Sequence, residues 1–240
     1  MHHNMRNSRG FKLCLSIFAH DLPTLKLKLR TARKHRPDLV ELRLDYLAKI
    51  DEYCLREVEK LASDETILTL RSRAEGGKSY LRERERVSIL EKLASFPKCY
   101  TDIEINTFEK NPDLMKAFED SEIKIIASFH DFSKTPSERE LESLINRAAN
   151  SVYATKVACY ANSFDDNRRL LSLYESSVMR KARPRKLVAF CMGEYGVFSR
   201  FASLYSGAPF TYASLPGKAT APGQLDIEIM RAALGQLRRS

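Results

Sequence analysis

A (β/α)8 barrel is the fold class this sequence predicts, and three observations predict it. Eight short β-rich runs recur along a chain of 240 residues. Segments with helical periodicity lie between most of them, and strand–helix units in this number and total length match the usual size of such a barrel. The open doubly wound sheet, the main alternative, usually carries a glycine-rich phosphate turn after its first strand. Here Ser16-Ile17-Phe18-Ala19-His20 contains no glycine.

In chain order the strand candidates are Phe11–Phe18, Asp38–Asp45, Thr66–Arg71, Cys99–Ile105, Lys124–His130, Val152–Ala158, Leu187–Met192 and Phe210–Leu215. Each is a short β-rich run of strand length. Between the first two, Leu22–His35 sets Leu22, Leu25, Leu29 and Ala32 on one face, with lysine and arginine opposite. Arg82-Glu83-Arg84-Glu85-Arg86 alternates in sign and predicts an ion-paired helix face. Thr135-Pro136-Ser137-Glu138 predicts a capping box, with the threonine as N-cap, and a helix running to about Ala149. Gln224–Leu237 closes the chain as an amphipathic helix. No linker divides the chain, so residues 11–240 are expected to form one domain after a loose polar tail, 1–10.

Hydrophobic content of 43% and charged content of 30% are those of a soluble globular protein. No stretch is apolar for long enough to span a bilayer, and the N-terminus lacks the apolar segment of a secretion signal. A cytoplasmic location is the expectation. The net charge of +9 raises nucleic acid as a partner. Against it, most basic residues are interspersed with acids. Only Arg180-Lys181-Ala182-Arg183-Pro184-Arg185-Lys186 is a concentrated run, expected to be a solvated connection. Neither nucleic acid nor a membrane is therefore expected as a partner. Cys14, Cys54, Cys99, Cys159 and Cys191 show no Cys-x-x-Cys spacing, and they are expected to be small buried hydrophobes, neither staples nor metal ligands.

Chemistry enters with Lys156, inside the apolar run Val152–Ala158. Burial disfavours an ammonium, and a lysine that is partly neutral can form an imine with a carbonyl. The alternative is a buried stem whose charged head reaches water. Other polar residues interrupt the runs near their C-terminal ends, where barrel active sites are built. Ser16 ends the first strand, and Glu41 and Arg43 share one face of the second at a period of two. Arg71 ends the third, with Glu75 in the loop beyond. Asp102 and Glu104 lie on the fourth, His130 on the fifth and Met192 on the seventh. Taken singly each can be a satisfied core group, since buried charges are normally paired. Their agreement in position predicts a common site, and positive charge beside the lysine is expected to lower its basicity further.

These residues lie in a series of motifs. They are Glu41-Leu42-Arg43-Leu44-Asp45, Thr69-Leu70-Arg71-Ser72-Arg73-Ala74-Glu75-Gly76-Gly77, Ser128-Phe129-His130-Asp131-Phe132 and Thr155-Lys156-Val157-Ala158, followed by Met192–Arg200 and Ala221-Pro222-Gly223-Gln224. In this order the chain resembles the type I 3-dehydroquinate dehydratases, from Ser16 to Gln224. The resemblance implies a Schiff-base lysine at Lys156, a general acid/base at His130 and an orienting glutamate at Glu75. It implies substrate contacts from Glu41, Arg43 and Arg71 to ring hydroxyls, and from Arg200 and Gln224 to a carboxylate, with Ser16, Met192, Tyr212 and Thr220 lining the pocket. Thr220 stands where many relatives have serine, Tyr212 where phenylalanine is common, and Phe190 where some have methionine.

The resemblance further implies 3-dehydroquinate as substrate, no cofactor, no metal and a homodimer. Lys156 would attack the C3 ketone, His130 would remove a C2 proton from the imine, and the C1 hydroxyl would leave as water. Glu75-Gly76-Gly77 and Pro216–Gly223 are candidate lids. Another imine-forming barrel, such as a class I aldolase, is the nearest alternative. A non-enzymatic basic barrel that binds nucleic acid or protein is the more distant one.

Overall fold

The computed structural model describes residues 11–119, 121–148, 151–176, 178–179 and 186–237. The expected polar tail, and all of the basic run except Lys186, lie outside the described residues. Eight parallel strands form one sheet: β1 (Leu13–Phe18), β2 (Leu39–Arg43), β3 (Thr66–Thr69), β4 (Tyr100–Glu104), β5 (Lys124–Asp131), β6 (Ala154–Tyr160), β7 (Lys186–Met192) and β8 (Thr211–Ser214). The ladder runs β7-β6-β5-β4-β3-β2-β1-β8, so sequence neighbours are also spatial neighbours and the sheet curls into a nearly closed (β/α)8 barrel. All eight strand candidates are present, shifted by one to two residues at most ends. Lys186, the last residue of the basic run, opens β7.

The period-two alternation separates two cores. Leu13, Leu15, Val157, Cys159, Leu187, Ala189 and Cys191 face outward, into a large cluster with helix residues such as Leu25, Leu29 and Ala32. Cys14, Leu39, Ile67, Tyr100, Ile126, Ala154, Val188 and Phe210 face inward and fill the barrel. The five cysteines are all buried and free. Among the described residues no helix is long and apolar enough to cross a membrane.

The first helix spans Leu22–Lys34, and Asp21 caps it by accepting from the Thr24 N–H at 2.8 Å. Two expectations need correction. The helix between β5 and β6 begins at Glu138, capped by Ser137 and not by Thr135, with Glu140 as the reciprocal partner. Two overlapping Thr/Ser-x-x-Glu patterns competed, and the Thr135 hydroxyl instead donates to the Tyr160 carbonyl at 2.9 Å. This helix runs to Arg147; Ala149 lies outside the described residues. The last helix is Ile227–Leu237, because the Gln224 side chain closes a loop before it. The ion-paired helix face is present, with Arg86 bonded to Glu83 three residues before it, and Arg86 also turns into the fold. It is 2% exposed, and its guanidinium binds Glu83, Glu104 and the Leu70 carbonyl.

Candidate active site

Above the apolar fill, the inward positions turn polar. Ser16, Glu41, Thr69, Asp102, Ser128 and Lys156 are all buried. A cavity with about 470 Å³ of empty space opens over them at the C-terminal ends of the strands. Of the predicted residues, Glu41, Arg43, Arg71, Glu75, His130, Lys156, Met192, Arg200, Tyr212, Thr220 and Gln224 line it. Ser16 does not. It stands behind the wall, and its hydroxyl donates to Glu41.

Lys156 is 4% exposed, so its head is not drawn out to water. Its register partner on β5 is Ser128, and His130 lies two residues further toward the mouth on the same face. The expectation of positive neighbours around the amine needs correction, since the nearest charged atoms are carboxylate oxygens. Asp102 Oδ2 accepts from Nζ at 2.8 Å and Glu41 Oε1 lies 4.0 Å away. The Tyr212 ring centroid lies 4.4 Å from Nζ. The period-two position of Asp102 on β4 aims it inward at both Lys156 and Arg71.

His130 and Glu75 meet as expected. The His130 backbone N–H donates to Glu75 Oε2 at 2.9 Å, and Nδ1 lies 3.0 Å from the same oxygen. Burial lowers the His130 pKa well below its ordinary value, and Arg71 and Lys156 add to the effect. Burial raises Glu75 to about 8, against the opposing pull of Arg71 and with help from Glu104. Below about pH 8 Glu75 is therefore mostly a neutral acid beside a neutral imidazole. The turn that carries Glu75 is fixed by glycines. Gly76 has φ +83°, and a Cβ on Gly77 would meet the Arg71 carbonyl oxygen at 2.0 Å. Together with the bond from Lys78 N–H to Asp45 at 3.0 Å, this anchors the first candidate lid.

The three pocket arginines differ in one respect. Arg43 forms a two-point bond with Asp45, 2.9 Å at each end. Arg71 donates to Asp102 at 2.8 Å, to Ser128 at 2.7 Å and to Glu104 at 3.1 Å. Those carboxylates outweigh the cost of burial and hold Arg71 firmly charged, while Glu104 is lowered by Arg71 and Arg86 against its own burial. Arg200, in helix Val197–Tyr205, is 1% exposed and faces no such carboxylate among the described residues. Its NH2 group donates to the Pro222 carbonyl at 3.2 Å, its Nε has no partner among the described residues, and its Cζ lies 4.5 Å from the Phe190 ring centroid. Burial pulls its pKa down to about 10, so it stays charged at neutral pH. A desolvated guanidinium without a counter-ion is a receptor for an anion.

The remaining wall comes from β7, β8 and the loop beyond. Met192 ends β7 and is fully buried. Gln224 Oε1 accepts from the Thr220 N–H at 2.7 Å and hydroxyl at 2.8 Å, while its Nε2 donates to the Ala213 carbonyl at 3.0 Å. Within the second candidate lid, Gly193 N–H donates to the Pro222 carbonyl at 3.1 Å, while residues 216–219 are exposed. Phe132, Ala158, Phe190 and Ala221 also line the cavity. Phe132 and Ala158 were findable, since each follows a predicted site residue by two positions on or just beyond a strand.

Residues 13–240 match the family model for type I 3-dehydroquinase. The 3-dehydroquinate dehydratase of Methanocaldococcus jannaschii is 34% identical over 207 residues, 85% of this chain and 90% of that protein. That of Thermococcus gammatolerans is 36% identical over 206 residues, again 85% and 90%. Among solved structures, the 3-dehydroquinate dehydratase of Geobacillus kaustophilus has a TM-score of 0.83 at 26% identity, covering 96% of this chain and 92% of its own. The Aquifex aeolicus enzyme has a TM-score of 0.74 at 30% identity, covering 92% and 96%. The family model spans the whole barrel and the relatives exceed 30% identity over most of both chains: this chain belongs to the type I 3-dehydroquinase family.

Proposed function

We propose that Lys156 forms the covalent imine with 3-dehydroquinate, that His130 moves the protons with Glu75 beside it, and that Arg200 holds the substrate carboxylate. The activity itself is that of the family, a 3-dehydroquinate dehydratase, which is a hydro-lyase of the shikimate pathway. One observation carries the assignment of roles. A buried amine, a buried imidazole and a counter-ion-free guanidinium face the same cavity.

In this reading Nζ attacks the C3 ketone and water leaves, giving a protonated imine that withdraws electrons from C2. Neutral His130 takes a C2 proton, and the C–H pair becomes the double bond of an enamine. That requires an unprotonated imidazole, which its burial favours. As the imidazole gains charge, the adjacent Glu75 carboxyl can ionise against it, so the pair holds the proton between them. Collapse of the enamine expels the C1 hydroxyl with a proton from His130, and hydrolysis of the imine frees 3-dehydroshikimate and Lys156.

Glu41, Arg43 and Arg71 are then hydroxyl-binding groups, the two arginines held rigid by their own carboxylates, with Gln224 and Thr220 beside the carboxylate end. Met192 and Tyr212 shape the wall, and Ser16 acts through Glu41. Borohydride reduction in the presence of 3-dehydroquinate, read by intact mass, tests the assignment. Lys156→Ala must lose both the adduct and turnover; an adduct on that variant would move the imine to another residue. A homodimer is the proposed assembly. It is supported by the family resemblance and by the exposed, adjacent rings of Phe164 and Phe198, tilted at 40° with 5.4 Å between centroids. Light scattering on the purified protein decides it.

A further inference from the structure

We propose that Asp102, with Glu41 behind it, is a positioning residue that acts as the counter-ion of the covalent imine. This inference rests on Lys156 carrying that imine. The argument starts from charge conservation. An ammonium and a ketone become a protonated imine and one water: Nζ bonds to the carbonyl carbon, the C–O bond breaks, and the oxygen leaves with two of the three ammonium hydrogens. The nitrogen carries one positive charge before and after. A carboxylate that is bonded to the ammonium is therefore already in place for the imine, with no reorganisation at the moment it forms.

The geometry fits a device of this kind. Asp102 Oδ2 lies 2.8 Å from Nζ, and its other oxygen is pinned by Arg71 NH2 at 2.8 Å and the Ser128 hydroxyl at 2.6 Å. An aspartate whose other oxygen is held at two points cannot follow the nitrogen far, so it fixes where the nitrogen sits. Burial alone would raise the Asp102 carboxyl, but Arg71 and Lys156 outweigh it and keep it ionised. Glu41 Oε1, 4.0 Å from Nζ, adds a second negative charge and is itself held by Thr69 at 2.9 Å and by Ser16. The Tyr212 ring supplies a third cation-stabilising surface from β8.

The other titratable or charged groups facing this nitrogen are Cys14 on β1, Arg43 on β2, Arg71 beyond β3 and His130 on β5, with Glu75 beyond His130. From β7 the neighbouring inward side chains are the apolar Val188 and Phe190. Arg71 and His130 oppose positive charge at the nitrogen, so the two carboxylates are what keeps the imine protonated. Protonation is what makes it an electron sink. Once the C2 proton leaves, the nitrogen becomes a neutral enamine and the counter-ion loses its partner. The same carboxylate then favours reprotonation and hydrolysis.

The test is the pH dependence of borohydride trapping and of kcat/KM in Asp102→Asn and Glu41→Gln, with circular dichroism to establish folding. An opposite charge at this range moves a titration by about one to three units. The alkaline limb of trapping should therefore fall to lower pH by about that amount in Asp102→Asn, and by less in Glu41→Gln. A merely structural aspartate would lower the amount of active enzyme and leave the limb where it is. An unmoved limb in folded Asp102→Asn overturns the proposal. If that variant fails to fold, an unmoved limb in Glu41→Gln does so. Lys156→Ala is the separate control, because trapping retained there would remove the imine from Lys156 and not merely its counter-ion.

Discussion

Replacing Arg200 by methionine removes a buried charge while keeping most of the side-chain length, and it should strengthen the fold as it destroys binding. The guanidinium is 1% exposed and its pKa falls on burial from 12.5 to about 10. A cation whose pKa is depressed by folding weakens the native state at every pH below that value, here by on the order of 3 kcal/mol. The variant loses the Pro222 hydrogen bond and the contact with the Phe190 ring, each worth about 1 kcal/mol. The balance is a gain of roughly 1 kcal/mol, or a rise in Tm of about 2–4 °C for a chain of this size. Binding moves the other way. Losing one partner of a buried charge pair costs about 2–5 kcal/mol, which predicts a fall in kcat/KM of roughly 30- to 4000-fold. Scanning calorimetry gives the first quantity, and ultraviolet absorbance of the conjugated enone product gives the second. A variant that melts lower than the parent and keeps kcat/KM within about threefold would refute the reasoning, because Arg200 would then be a structural group and not an anion receptor.

Three further outcomes are expected. His130→Ala should still trap substrate with borohydride but turn over about 10² to 10⁴-fold more slowly; near-normal turnover would remove His130 from acid–base work. Glu75→Gln should change the pH dependence of stability. The native carboxyl titrates near 8 and its ordinary value is 4.5, so its stabilisation is full below 4.5 and lost as pH rises through 8. Urea unfolding between pH 5 and 8 should show the parent losing a few kcal/mol relative to Glu75→Gln, and parallel profiles would contradict the burial argument. Ser137→Ala should cost about 1 kcal/mol through its helix cap, measured by the same unfolding. An equal loss in Glu140→Gln is not expected, since an amide oxygen can still accept from the Ser137 N–H.

The barrel was legible because its strands are buried on both faces and its helices on one, so the two periodicities separate cleanly. Lys156 stood out for a related reason: an ammonium inside Val152–Ala158 has no place in an apolar strand unless something specific receives it. What receives it was not legible as a contact. Asp102 is 54 residues away in sequence, and only the β4–β5–β6 register brings it to 2.8 Å from Nζ. The same limit applies to Glu75, whose acidity is set by an enclosure made from several distant segments. It applies also to Ser137, where two overlapping capping patterns differ only in which hydroxyl a neighbouring strand claims. Local chemistry thus announces that a charge needs an explanation, and topology supplies the partner. At this site the partner matters to the chemistry: a lysine depressed by positive neighbours would be ready to attack but would leave its imine without a counter-ion. In the proposed mechanism, a lysine bonded to Asp102 has the counter-ion of its protonated imine already in place. On that proposal the carboxylate favours the intermediate over the nucleophile.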